Sequence, residues 1–322
     1  QPEDILILQQ CLYLKCGCSL SQPLYEGETP NFKRRIMAAY AKSWGWSRKS
    51  LEHLDNIQQW NFNERVQLSR RIHRFLLKCY RRISSQLDGQ TQIMDEKDMT
   101  VLGRRLSTFY GKKHNKVEFL RRAFDESLYC STVTIAVRTL KNGDEIWTAY
   151  AGDKLSKSGI IDKSQKISQA ANAVDLLVWC VASRIIDTNT KIHLDYNYCE
   201  ISELDLNDLL KHLYALFPPV RVSALPRDDL LAPERIMACM ALVNFPTLRQ
   251  KPTVEDVYVI YRTTWGETFL KHGTDVLDSL WYELSEVSPK PKCYVMVPRG
   301  NQQSRILGEF LESTDLSFSV VH

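Results

Sequence analysis

Residues 62–87 read FNERVQLSRRIHRFLLKCYRRISSQL. Phe62, Val66, Ile72, Leu76, Cys79, Ile83 and Leu87 recur chiefly at three- and four-residue steps, a period that only a helix gathers onto one face. Arg65, Arg70, Arg71, Arg74, Lys78, Arg81 and Arg82 fall mostly on the other side. The stretch predicts a long amphipathic helix with a basic exterior.

Upstream, the helical pattern continues. Ile5, Ile7, Leu8, Cys11, Leu12 and Leu14 form a broad apolar stripe, and Phe32, Ile36, Tyr40 and Trp44 repeat the spacing beyond a Pro- and Gly-punctuated loop at residues 22–30. Ser47 reads as the cap of a short helix, and Met99 to Tyr110 as one more helix, ended by Gly111. Downstream of about residue 117 the period changes. Residues 129–137 and 145–150 are rich in Val, Thr, Ile, Tyr and Trp and flank Asn142-Gly143, a strong hairpin signal.

Ala173 to Ile186 is apolar nearly all round and reads as a buried helix. A strand at 191–196 and a helix at 205–217, stopped by Pro218-Pro219, follow. The apolar run 236–245, bounded by Pro233 and Pro246, reads as a strand. Residues 257–262 and 267–271 predict a hairpin around Trp265-Gly266, then a helix capped by Thr274, a strand at 294–297, a helix at 304–311 and a strand at 316–320. No internal repeat is visible. The pattern predicts an α+β fold: an all-helical subdomain over residues 1–116, then a mixed subdomain over residues 117–322 with a β-sheet flanked by helices.

Composition excludes several classes. In 322 residues, apolar side chains make up 44% and charged ones 25%, with only 13 Gly and 12 Pro, which rules out collagenous, low-complexity and wholly disordered chains. The longest apolar run, Ile236 to Val243, is far short of the roughly 20 residues that span a bilayer. The chain opens Gln1-Pro2-Glu3-Asp4 without Met or an apolar leader, so it reads as part of a longer protein without a signal peptide. Nine scattered cysteines fit buried, reduced thiols and a cytoplasmic location better than a disulfide framework.

A search for chemistry returns little. There is no glycine-rich phosphate loop, no H-E-x-x-H, no G-x-S-x-G and no C-x-x-C. Cys16-Gly17-Cys18 lacks a second pair for zinc and reads as buried or capping. His73, among arginines, reads as a solvated side chain, and His193 and His212 have no partner in sequence that would orient a base. Asp228-Asp229 reads as a loop. Nucleotidyl-transfer enzymes hold phosphate with a Gly-Ser turn and Mg²⁺ with a D-x-D pair. No Gly precedes a Ser here, and no two Asp lie two apart.

The basic helix does stand out. Residues 1–123 carry 22 Lys and Arg against 12 Asp and Glu, a balance of +10, whereas residues 124–322 carry 20 against 26, or −6, so the bland net +4 sums two unlike parts. Arg70, Arg71, Arg74, Lys78 and Arg81 are the candidate interface cations. A solvated face, or docking on an acidic surface of the parent protein, outweighs the alternative of a stand-alone nucleic-acid module. Trp44, Trp46 and Trp60 read as helical-core residues before partner anchors. Tyr261, Arg262 and Trp265 are candidate interface residues because a hairpin turn can present an Arg and an aromatic outward.

Several strings carry a family likeness. CLYLKC at 11–16, WGW at 44–46, LDNIQQW at 54–60 followed by Val66, then Val101-Leu102, Arg105-Leu106 and YRTTWGE at 261–267 stand in order along the chain. In these strings the chain resembles bacterial class I adenylate cyclase from about residue 4 to 320. The resemblance implies the portion that follows the ATP-cyclising half and is associated with regulation. Mg²⁺ and ATP then belong to the catalytic half, which would be the partner within the same polypeptide. No catalytic residue, cofactor-binding residue or metal ligand of the family maps onto this sequence. The family further implies a possible regulator, the phosphorylated IIA component of the glucose phosphotransferase system.

Overall fold

The computed structural model describes residues 3–25, 27, 29–87, 96–120, 128–153, 165–195, 201–220, 224–245, 256–273, 276, 284, 288–296 and 318–321. The expected N-terminal helices are present: α1 (Glu3–Cys16), α2 (Phe32–Ser43), α3 (Arg48–Asp55), α4 (Phe62–Leu87) and α5 (Glu96–Tyr110). Asn31 caps α2 by accepting from the Arg34 amide, and Ser47 caps α3 by accepting from the Ser50 amide, each satisfying an otherwise unpaired helix donor. Ile7, Tyr13, Met37, Leu54, Trp60, Leu68 and Ile72 form the core of this helical head. Trp44 and Trp46 pack against it, but the stripe expected on α2 does not face it: Phe32, Ile36 and Tyr40 are exposed and Met37 and Ala41 are buried instead.

The apolar stripe of α4 does not serve one core. Leu68 and Ile72 face the helical head, whereas Phe62 and Val66, at 3% and 0% exposure, belong to the main core. One helix therefore closes two hydrophobic clusters.

The β part contains two mixed sheets where the sequence suggested one. The first has the order β3-β2-β1-β4, with β1 (Thr132–Thr139), β2 (Glu145–Ala151), β3 (Lys166–Ala170) and β4 (Lys191–Leu194). The second has the order β7-β6-β5-β8-β9, with β5 (Ile236–Val243), β6 (Val257–Thr263), β7 (Thr268–His272), β8 (Lys292–Met296) and β9 (Phe318–Val321). Each begins with an antiparallel meander whose strands are 8, 7 and 5 residues long, and each then adds a strand parallel to the first. The same plan is built twice from sequences that share no visible repeat.

Helix α6 (Ala173–Ala182) connects β3 to β4 and buries seven of its ten residues, which explains its nearly all-apolar composition. Helix α7 (Glu203–Leu216) starts with a reciprocal cap between Ser202 and Asp205. Strand β5 is apolar throughout, and from Cys239 to Val243 both of its faces are covered: Met240 and Leu242 face the main core, while Cys239, Ala241 and Val243 face a smaller one with Cys293 and Val295.

Two expectations are corrected. Asp228-Asp229 lies in a short helix, α8 (Arg227–Leu231), where both carboxylates sit in the first turn and complement the helix dipole. Strand β3, KISQA, was not anticipated. The helices expected at 274–284 and 304–311 fall largely or wholly outside the described residues. Eight cysteines are described and all are free thiols. Burial pushes Cys293 up to about 11 and Cys130 to about 12, so both stay protonated. Among the described residues no helix is long and apolar enough to cross a membrane.

Because Phe62 sits where α4 enters the main core, Phe62→Ala is expected to cost about 3–5 kcal/mol in urea unfolding and to raise amide exchange in α4 and in β1–β2 together. Ile83→Ala, at an exposed position of the same helix, should change stability by less than about 0.5 kcal/mol.

Candidate functional site

The YRTTWGE segment forms the turn between β6 and β7. Thr263 and Glu267 pair across it, and Gly266 adopts φ +79°, with Val220 Cγ1 only 2.9 Å from where a Cβ would stand. Any other residue there would be strained and would displace Val220. Thr264 holds the turn to the start of β5 through paired bonds with Arg235, at 2.8 and 3.2 Å.

The side chains of this turn point inward. Arg262 is 9% exposed, donates to the carbonyls of Phe217 (2.9 Å) and Pro218, and bonds Thr268 Oγ1 at 3.1 and 3.2 Å. It closes the C-terminal end of α7, where a cation also complements the helix dipole. Burial lowers its pKa to about 10, still charged at neutral pH. Trp265 donates its indole N–H to the carbonyls of Asp229 (3.1 Å) and Ala232 (3.2 Å), and the Arg104 guanidinium lies 4.4 Å over its ring. Tyr261, half-buried, stacks on Phe269 at 4.9 Å. An outward-facing Arg and aromatic, the geometry that singled these residues out, is not what the turn presents.

Against this turn packs the end of α5. Arg104 donates to the carbonyls of Leu230 and Ala232, and Thr108, fully buried, donates to the Trp265 carbonyl at 3.1 Å. The following segment runs along β7: Val117 N–H donates to Thr268 O and Leu270 N–H to Asn115 O, both at 2.9 Å, covering that sheet edge.

At the centre sits a buried ion cluster. Glu267 has no side-chain exposure and pairs with Lys116 at 2.9 Å and with Lys113, which also reaches Glu234 at 2.9 Å. Lys116, whose side chain is 3% exposed, spends its other donors on the carbonyls of Ser107 and Gly111, both at 2.8 Å. Burial pushes the Lys116 ammonium below its ordinary value even beside Glu267. Burial works the same way on Lys113, but hydrogen bonds to Glu267 and Glu234 outweigh it and its pKa rises. The two lysines thus shift in opposite senses because Lys116 is deeper and has one carboxylate where Lys113 has two. Sequence reasoning missed Arg104, Lys113, Lys116 and Glu234, whose partners lie more than a hundred positions away.

The basic face of α4 is partly spent inside the chain. Arg71 pairs with Glu3 at 3.4 Å and Lys78 with Asp4, both at the start of α1. Arg70 is half-buried, bonds Ser168 Oγ at 3.2 Å and lies 5.5 Å from the centre of the Trp179 ring. Arg74 and Arg81 are exposed. His73 is half-buried with its ring 5.7 Å from Tyr110 rather than solvated, and His193 lies between Asp153 and Glu203 at 3.7 and 3.6 Å. Among the described residues no three His, Cys, Asp or Glu side chains are grouped as metal ligands would be.

These elements define a protein whose conspicuous polar side chains join its own parts. The chain is similar to bacterial class I adenylate cyclases. Residues 2–121 match the family described as adenylate cyclase, class-I, second domain. Over 97% of its length the chain is 21% identical to the adenylate cyclases of Proteus mirabilis and Yersinia intermedia, covering 40% and 41% of those proteins. It is 20% identical to that of Haemophilus influenzae over 74% of its length. The chain thus spans about two fifths of the length of the first two relatives. No solved structure matches.

Lys116→Met leaves Glu267 short of a partner and is expected to cost about 3–5 kcal/mol in urea unfolding, part of which a second substitution, Glu267→Gln, should restore. Burial pushes Glu234 up, but its hydrogen bond with Lys113 helps hold it below its ordinary 4.5. Its stabilising contribution is therefore present above pH 4.5 and lost as pH falls through the lowered value. Urea midpoints of wild type and Glu234→Gln should converge as pH is taken from 7 to 3.

Proposed function

We propose that this chain is the regulatory, non-catalytic portion of a class I adenylate cyclase, a cytoplasmic enzyme that in its full-length form converts ATP to cyclic AMP and diphosphate. The observation that carries this reading is the extent of the match: 97% of the chain follows two fifths of a cyclase. The sequence supports it from the other side, since it holds neither the Gly-Ser turn nor the D-x-D pair that ATP cyclisation uses. Mg²⁺ and ATP belong to the catalytic half, which is the primary partner of this chain within one polypeptide. A phosphotransferase-system component is the expected regulator.

In this reading the ion cluster around Glu267 has a mechanical role. It holds α5 and the β6–β7 turn at one fixed relation, so that the helical head and the second sheet move as a unit. Purified alone, the chain should yield no cyclic AMP from Mg·ATP, and robust turnover would overturn the assignment. In the full-length cyclase, Lys113→Met should alter the ratio of stimulated to basal activity while leaving KM for ATP unchanged. An equal loss of both activities in a fully folded variant would argue for a structural role only.

A further inference from the structure

The helical head carries a groove that the ion cluster and the cyclase reading do not use. It lies between α2, α3 and the loop joining α1 to α2, with a volume of about 500 Å³. Its floor and walls are apolar: Leu20, Leu24, Ala38, Ala41, Trp46 and Leu51. Along α2 it runs from Arg34 to Lys42, about 12 Å at 1.5 Å per residue, the length of two helical turns. Small side chains at 38 and 41 leave the space open.

The walls are held before anything binds. Asp55 accepts from Tyr13 Oη at 2.6 Å and from the Ser21 amide at 2.8 Å, which fixes the loop against the end of α3. Arg34 donates to the carbonyls of Cys18 (3.1 Å) and Gln22, which fixes the same loop against α2. Trp46 is braced by Tyr13 at 5.5 Å and Trp44 at 5.1 Å. A preorganised apolar groove loses little conformational entropy on binding.

The rim is positive, and among the described residues its exposed cations meet no acidic side chain. Arg35 and Lys42 line the groove, both are exposed, and neither forms an ion pair with another described residue. This differs from the α4 face, where Glu3 and Asp4 neutralise Arg71 and Lys78. An apolar trough two turns long with exposed cations at its edge is complementary to a helix that has apolar anchors on one face and carboxylates beside them. We propose that this groove docks an acidic amphipathic helical segment of a partner protein, with the anchors against Trp46 and Ala38 and the carboxylates on Arg35 and Lys42.

The test uses the whole chain and a fluorescein-labelled synthetic peptide of about four helical turns, with Leu and Phe at i, i+3, i+4 and i+7 and Glu at most other positions. Controls are a scrambled peptide of the same composition and a version with Lys for Glu. Fluorescence anisotropy should show binding of the acidic amphipathic peptide that weakens with salt, and little binding of either control. Ala38→Glu at an exposed helix position, and Arg35→Glu with Lys42→Glu, should each weaken binding roughly tenfold, with unchanged circular dichroism. Hydrogen exchange on the unaltered protein should show protection in α2 and the adjoining loop on peptide addition. Equal binding of the scrambled peptide, protection elsewhere, or no loss in either folded variant would overturn the proposal. So would failure of the peptide to bind while anionic phosphatidylglycerol vesicles bind in an Arg35- and Lys42-dependent way.

Discussion

Glu267 has no contact with solvent, and a carboxylate in that position is stable only if the fold supplies cations to it. The requirement propagates. Lys116 satisfies Glu267 from a segment that pairs with β7, and its remaining donors take the Ser107 and Gly111 carbonyls where α5 ends. One ammonium group therefore stops a helix, starts an edge pairing and neutralises the β6–β7 turn. Gly111 follows from the same closure, because a Cβ there would stand 2.6 Å from the Ser107 carbonyl oxygen. Arg104, Thr108 and Trp265 then have their positions set by the turn and by α8.

The two sheets show that one topology can be built from unlike sequences. Both run as a meander of 8, 7 and 5 residues followed by a parallel strand beside the first, yet their surroundings differ. Strand β5 is apolar at every position and covered on both faces from Cys239 to Val243, whereas β1 ends in the exposed residues Arg138 and Thr139. Different burial selects different side chains onto one backbone plan. A repeat of this kind is invisible to a search for recurring residues.

What could be read from the sequence was what depends on local period. The long helix has the limits its apolar spacing implied, residues 62–87, and Ser47 caps where a cap was expected. Asn142-Gly143 marked its hairpin because the turn itself requires those residues. Strand β3 gave no such signal: five residues, two of them buried, leave too little alternation to recognise. The outward placement expected of Arg262 is not found, for a different reason. Its burial is set by α7 ending at Phe217, 45 positions away, with carbonyls that need a donor, and nothing near residue 262 records that need. The ion cluster was hidden in the same way, since Lys113 and Lys116 stand more than 150 positions from Glu267.

The sharing of α4 between two cores limits how the helical head can respond to anything that binds it. Tilting the head away from the sheets would draw Phe62 and Val66 out of the main core, at about 1.5–3 kcal/mol for each side chain exposed. A ligand can shift a conformational equilibrium only by its difference in affinity for the two states, and each tenfold difference is worth about 1.4 kcal/mol. Displacing those two side chains alone thus requires a preference of roughly a hundredfold to ten-thousandfold. Weak or non-specific contacts with the basic surface fall below that threshold and leave the arrangement unchanged.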